Sequence, residues 1–146
     1  SGKQGAWIFT AAHGAILGPF PDTLTPGTAP YIPPPTPTLA QQAAAMIAAG
    51  LGITSTGTPA LNGTYSVDAT AQHNIQAVQI YIQANGKFPG SSGTYAWLDK
   101  AGAPHAFPTV AEFTAFATAV ADFVADLQMI IYTGTGTLPA DTATIP

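Results

Sequence analysis

Three histidines, His13, His73 and His105, are the side chains best suited to proton transfer or metal ligation near neutral pH. None stands in a His-x-x-x-His or His-x-x-Glu pattern, and His13 falls in a turn, His73 on a helix and His105 at a strand start. A site needs convergent groups, so structural roles are the expectation for all three. Asp122 and Asp126 lie one helical turn apart and present two carboxylates on one face, but a helix has no loop carbonyls to complete oxygen coordination around a cation. The Gly-rich run Thr133–Thr137 neither follows a clear strand nor opens a helix, which leaves it without the geometry of a phosphate cradle. No Gly-x-Ser-x-Gly elbow occurs, and Ser55, Ser66, Ser91 and Ser92 show no recognisable pairing with a histidine and an acid. Hydrolysis of a cell-wall polymer would need two carboxylates facing across a groove at roughly 5–10 Å, for which the spacing gives no sign. The expectation is therefore a protein that is not an enzyme, with no metal and no cofactor.

Side chains suited to binding are easier to find. Trp7, Tyr95 and Trp97 sit on short strands and could form an aromatic platform for a glycan or receptor, against which stands ordinary core packing of large rings. Gln72, Gln76, Gln79 and Gln83 recur at helical spacing and make a ladder of uncharged amides, a candidate partner-contact face. Tyr31 and Ile32 are apolar anchors inside a Pro-rich stretch. Asn62-Gly63-Thr64 matches a glycosylation acceptor, although a hairpin turn explains the same residues more simply.

The elements that must position these residues follow from pattern. Residues 1–20 read as an N-terminal hairpin, with β-rich runs either side of Ala12-His13-Gly14, and 21–36 as a Pro-rich linker of polyproline II character. An α+β domain is expected over 37–132. Thr36 followed by Pro37 predicts a helix from Pro37 to about Ala49, stopped at Gly50. Residues 51–56 and 64–67 predict a strand pair joined through Asn62-Gly63 in a type I′ turn. Asp68 caps a helix over about 69–84, with Ala71, Ile75, Val78 and Ile82 on its core face and Asn85-Gly86 as its stop. A further strand pair spans 94–98 and 105–107. Thr109 and Glu112 form a capping box for the strongest helix, whose stripe is Phe113, Val120, Val124, Leu127 and Ile131, widened by Phe116 and Phe123. Residues 133–146, without periodicity, predict an extended tail. The fold class is thus α+β: short antiparallel hairpins packed with two or three helices, the long C-terminal helix central.

Composition narrows the partners. Only 7% of the 146 residues are charged, where about 25% is usual, and the three lysines stand against seven acids with no arginine. A net charge of -4 without a guanidinium removes the equipment for phosphate recognition, so nucleic acid is not an expected partner. Cysteine is absent, which excludes disulfides and thiolate metal sites. Glu112, Asp122 and Asp126 inside the longest apolar stretch argue against insertion in a bilayer, and no signal peptide is visible after Ser1-Gly2-Lys3.

The order of a small-residue helix, Gly-Ile-Thr-Ser-Thr, Asn-Gly-Thr-Tyr-Ser-Val-Asp, an amphipathic helix, Tyr-Ala-Trp-Leu-Asp-Lys-Ala-Gly and a Thr-capped helix resembles a domain of unknown function found in phage tail and tail-fibre-associated proteins. Tyr65, Asp68, Ile75, Trp97, Gly102, Thr109 and Glu112 carry the likeness, and His13–Pro19 is similar to the N-terminal hairpin of tail-fibre assembly proteins. The resemblance implies a non-enzymatic virion or tail-assembly protein acting through protein–protein contacts, in the virion tail or in the host cytoplasm during assembly. Expected partners are other tail proteins or the chain itself; a homo-oligomer is expected, and a trimer is the first state to look for, since fibres are commonly threefold. A receptor- or glycan-binding module is the alternative.

Overall fold

The computed structural model describes residues 34–146. The expected N-terminal hairpin, nearly all of the Pro-rich linker, and His13, Trp7, Tyr31 and Ile32 lie outside the described residues. Pro35–Pro146 is one compact unit, and its architecture is α+β, as the sequence predicts.

Helix α1 spans Leu39–Ala49. It begins two residues later than Pro37 would place it, because Thr38 makes a complete capping box: its hydroxyl accepts from Gln41 N at 3.2 Å while Gln41 Oε1 accepts from Thr38 N at 2.8 Å. Two orphan amides satisfied together outweigh the one hydroxyl that Thr36 offers. Gly50 ends the helix at φ 94°, and a Cβ there would lie 2.5 Å from the Tyr65 carbonyl oxygen, so only glycine fits the corner into the next strand.

Strand β1, Leu51–Ser55, is the centre of a three-stranded sheet in the order β2-β1-β5, with β2 at Gly63–Tyr65 and β5 at Thr142–Ile145. β2 pairs antiparallel, Leu51 opposite Tyr65 and Ile53 opposite Gly63. The link between them is not a type I′ turn. It holds a single 3₁₀ turn, Pro59–Leu61, and Asn62 has φ -66° and ψ 126°. Asn62 Oδ1 instead accepts the Ser55 amide at 2.7 Å, doing with a side chain what a tighter turn would do with backbone.

The C-terminal segment is extended, as expected, but it is not a loose tail. β5 lies parallel to β1, from Gly52 opposite Thr142 to Ser55 opposite Ile145. Ile145 is buried, and the Ser55 hydroxyl donates to the Pro146 carbonyl at 2.8 Å. Four residues are too few to show a period, and their partner strand lies about ninety positions upstream.

Helix α2, Ala69–Asn85, is capped by Asp68, whose carboxylate accepts from Ala71 N at 2.8 Å, and ends at Gly86 in the left-handed conformation. Ala71, Ile75, Val78 and Ile82 are its buried face. Strands β3, Tyr95–Leu98, and β4, Pro104–Phe107, form a separate antiparallel hairpin. Helix α3, Val110–Thr133, contacts α1, α2, β1, β4 and β5, so its wide apolar arc is buried on several sides. Ile130 closes its stripe at 4% exposure, and Ile131, the residue chosen from spacing, is 36% exposed. By length and composition alone α3 could cross a membrane. Its Phe113, Phe116, Val120, Phe123, Val124, Leu127 and Ile130 are instead packed in the core, while Met129 and Tyr132 near its end are exposed.

Phe113, one turn into α3, sits among five rings: Phe107 at 5.2 Å, Tyr95 and Phe116 at 5.7 Å, Trp97 at 5.9 Å and Phe88 at 6.0 Å, all edge-on or tilted. Those rings come from β4, β3, α3 itself and the loop after α2. The Glu112 carboxylate next to it accepts the hydroxyls of Thr109 at 2.6 Å and Thr58 at 2.5 Å, tying the start of α3 to the loop after β1. Those two hydroxyl donors, Thr109 first, hold the Glu112 carboxyl below the usual range.

Two outcomes are expected. Phe113→Ala should lower stability by about 3–5 kcal/mol, read as a shift of the urea midpoint with little change in slope. Because the folded Glu112 carboxyl is depressed, its stabilisation is present above the unfolded value of about 4.3 and is lost as pH falls through the folded value. Glu112→Gln should therefore flatten the acid limb of the stability curve below about pH 4.3 relative to the natural chain, measured by denaturation across a pH series.

Candidate functional site

The four glutamines of the amide ladder lie along one side of α2 facing α3, and the two helices part there to leave a groove of about 460 Å³. Gln72, Gln76, Gln79 and Gln83 form one wall and Thr118, Ala121, Ala125 and Gln128 the other, over a floor of Ile75, Ala117, Val120 and Val124. Every described residue that lines it is uncharged. Gln72 Nε2 donates to the Val67 carbonyl at 2.7 Å and Gln79 Oε1 accepts the Thr114 hydroxyl at 3.3 Å. No hydrogen bond is made by the Gln76, Gln83 or Gln128 side chains among the described residues.

Exposed apolar side chains lie one helical turn beyond three of the lining residues. Ile80, one turn beyond Gln76, is 58% exposed; Met129, one turn beyond Ala125, is 63% exposed, and Tyr132, one turn beyond Gln128, is 84% exposed. Large apolar residues beside a neutral groove are the pattern of a contact surface. The sequence showed the glutamines by their period. The α3 wall was missed, because Thr118, Ala121, Ala125 and Gln128 carry no chemistry until another helix faces them.

The aromatic platform is altered by the structure. Tyr95 and Trp97 are neighbours on one side of β3, with centroids 6.3 Å apart, but their planes are inclined by 38° and both rings abut Phe113. Tyr95 also stacks on Phe88 at 5.6 Å. Both are half-buried and held by the core, so they do not make a flat pair. Trp97, and not Tyr95, borders a second, shallower hollow of about 400 Å³, with Ser66 and Asp68 from just before α2, Thr70, Ala71 and Asn74 from its first turns and Ala96 and Leu98 from β3. These residues span positions 66–98, and no local signal links them.

His105 is part of the scaffold. Its Nδ1 faces the Ala60 carbonyl at 2.6 Å and its Nε2 faces Asp99 Oδ2 at 3.3 Å, so both ring nitrogens are engaged. This clasp joins the β3–β4 hairpin to the 3₁₀ turn, and Gly63 packs so close that a Cβ would sit 3.2 Å from Nε2. The Asp99 carboxyl is held below its usual range first by the Ala103 amide, then by His105. Tyr65 lies beside the imidazole at 5.4 Å, and burial pushes its phenol up to about 12 while its hydroxyl donates to the Leu61 carbonyl. Lys100 Nζ donates to the Ala48 and Ala49 carbonyls, closing the C-terminal end of α1, where a cation complements the helix dipole.

Among the other candidates, His73 is exposed on α2, and Asp122 and Asp126 are exposed on α3. Among the described residues no three His, Asp or Glu side chains gather as a metal site would require.

A family model described as a domain of unknown function, DUF4376, matches residues 37–130. The chain belongs to this family. The match runs from just before α1 to near the end of α3, and so includes the groove and the Trp97 hollow but not β5. No curated protein and no solved structure matches the chain.

Proposed function

We propose that this protein is a non-enzymatic structural or assembly module of a bacteriophage-like tail, working through protein–protein contacts. The observation that carries the contact reading is the α2–α3 groove, whose described lining is free of charge, together with Ile80, Met129 and Tyr132 exposed on the same two helices. Burying such a face avoids the desolvation cost of ions, while glutamine amides can exchange water for partner hydrogen bonds at little net cost. The tail setting rests on the sequence pattern from Tyr65 to Glu112, and it places the protein in the virion tail or in the host cytoplasm during assembly. The partner is a second copy of this chain or another tail protein, and a closed homo-oligomer, a trimer first, suits a heterologous contact of this kind. Absence of arginine weighs against nucleic acid, and the burial of the α3 stripe weighs against membrane insertion.

Light scattering of the full chain over a concentration series tests this. The expected mass is a multiple of the 14.8 kDa protomer, and Gln76→Lys with Gln83→Lys should return it to one protomer while circular dichroism stays unchanged. A folded chain that stays a single protomer at high concentration and binds no tail protein, or an oligomer indifferent to the two lysines, would overturn the reading.

A further inference from the structure

We infer that the hollow between Trp97 and the first turns of α2 binds one neutral saccharide unit. The argument is independent of how many copies assemble and goes beyond the contact role of the groove. At about 400 Å³ and open to solvent, the hollow has the size of a small-ligand site but not the enclosure that an apolar ligand needs. Trp97 is held by Phe113 at 5.9 Å and Phe116 at 6.4 Å, is half-buried, and is one of the residues that line the space. A rigid indole offers an apolar face to the C–H side of a pyranose at small entropic cost.

The rim supplies what hydroxyl groups require. Thr70 and Asn74 are one helical turn apart on α2, and their side chains make no hydrogen bond among the described residues. They provide both donors and acceptors. Asp68 is locked by the Ala71 amide on one oxygen and by the Ser66 hydroxyl on the other at 2.9 Å, and each oxygen keeps acceptor capacity for a ligand hydroxyl. The same rim disfavours other ligands. A carboxylate lines the space, and Lys100, the cation acting on Asp68, is committed to the carbonyls at the end of α1, so among the described residues phosphate and other anions meet no free positive charge. Asp68 is the one acid among the described lining residues, so the proposal is for binding, with no pair of carboxylates there to support glycoside cleavage. A single sugar on one shallow indole binds in the millimolar range, and tight adhesion would come from several copies acting together.

Saturation-transfer NMR on the full chain, using the methyl β-glycosides of glucose, galactose and N-acetylglucosamine, tests the site, with indole and inorganic phosphate as contrasting probes. Transfer from protein aromatic protons to the ring C–H groups of at least one glycoside is expected, weakened about tenfold by Asn74→Ala or Thr70→Ala. Both positions are exposed on α2, and thermal melts check that each variant stays folded. No transfer to any glycoside at about 100 mM, transfer indifferent to both substitutions, or binding of indole or phosphate alone would overturn the inference.

Discussion

The packing of Phe113 is the constraint on which the rest of this structure hangs. One ring at the start of α3 touches aromatic side chains from the loop after α2, from β3 and β4 and from its own helix. The small second hairpin has only two strands, and a two-stranded hairpin is at best marginal in water. Its Tyr95, Trp97 and Phe107 side chains, laid on Phe113 and Phe116, convert it into part of the core. The neighbouring Glu112 clasp with Thr58 and Thr109 fixes where α3 begins, and so where Phe113 points.

From that anchor the two candidate surfaces follow. Holding β3 against α3 sets Trp97 beside the opening turn of α2, where Asp68 serves both as helix cap and as rim. Further along, Ile75, Val78 and Ile82 of α2 are buried, and above Ile75 the two helices part where glutamine on one helix meets alanine and threonine on the other. Short side chains on α3 leave space that long, uncharged ones on α2 line. The groove is free of charge because charge is scarce throughout the chain: three lysines and seven acids are spread over 146 residues, and several are used as clasps.

Helix caps and helix faces were legible from local pattern. Asp68, Thr109 and Gly86 act where their residue types and spacing put them, and the α2 core face came out residue by residue. Local pattern failed where two local answers compete or where the partner is remote. Thr36-Pro37 and Thr38 both start a helix acceptably, and the reciprocal bond to Gln41 decides between them. Asn62-Gly63 has the composition of a tight turn, but the amide of Ser55 takes the asparagine side chain and a 3₁₀ turn carries the reversal.

By itself the sequence determined the fold class, the three helices, the β1–β2 and β3–β4 strand pairs, the low charge of the chain and the line of glutamines, because each is written in spacing or composition within one or two neighbouring elements. Only the tertiary structure decided that Thr142–Ile145 is a parallel strand on β1, that Tyr95 and Trp97 are tilted into the core, and that Asp68, Thr70 and Asn74 share a hollow with Trp97. Each of these is a contact between segments far apart in the chain. Such contacts are fixed by burial and close packing across elements, and a one-dimensional period carries no record of them.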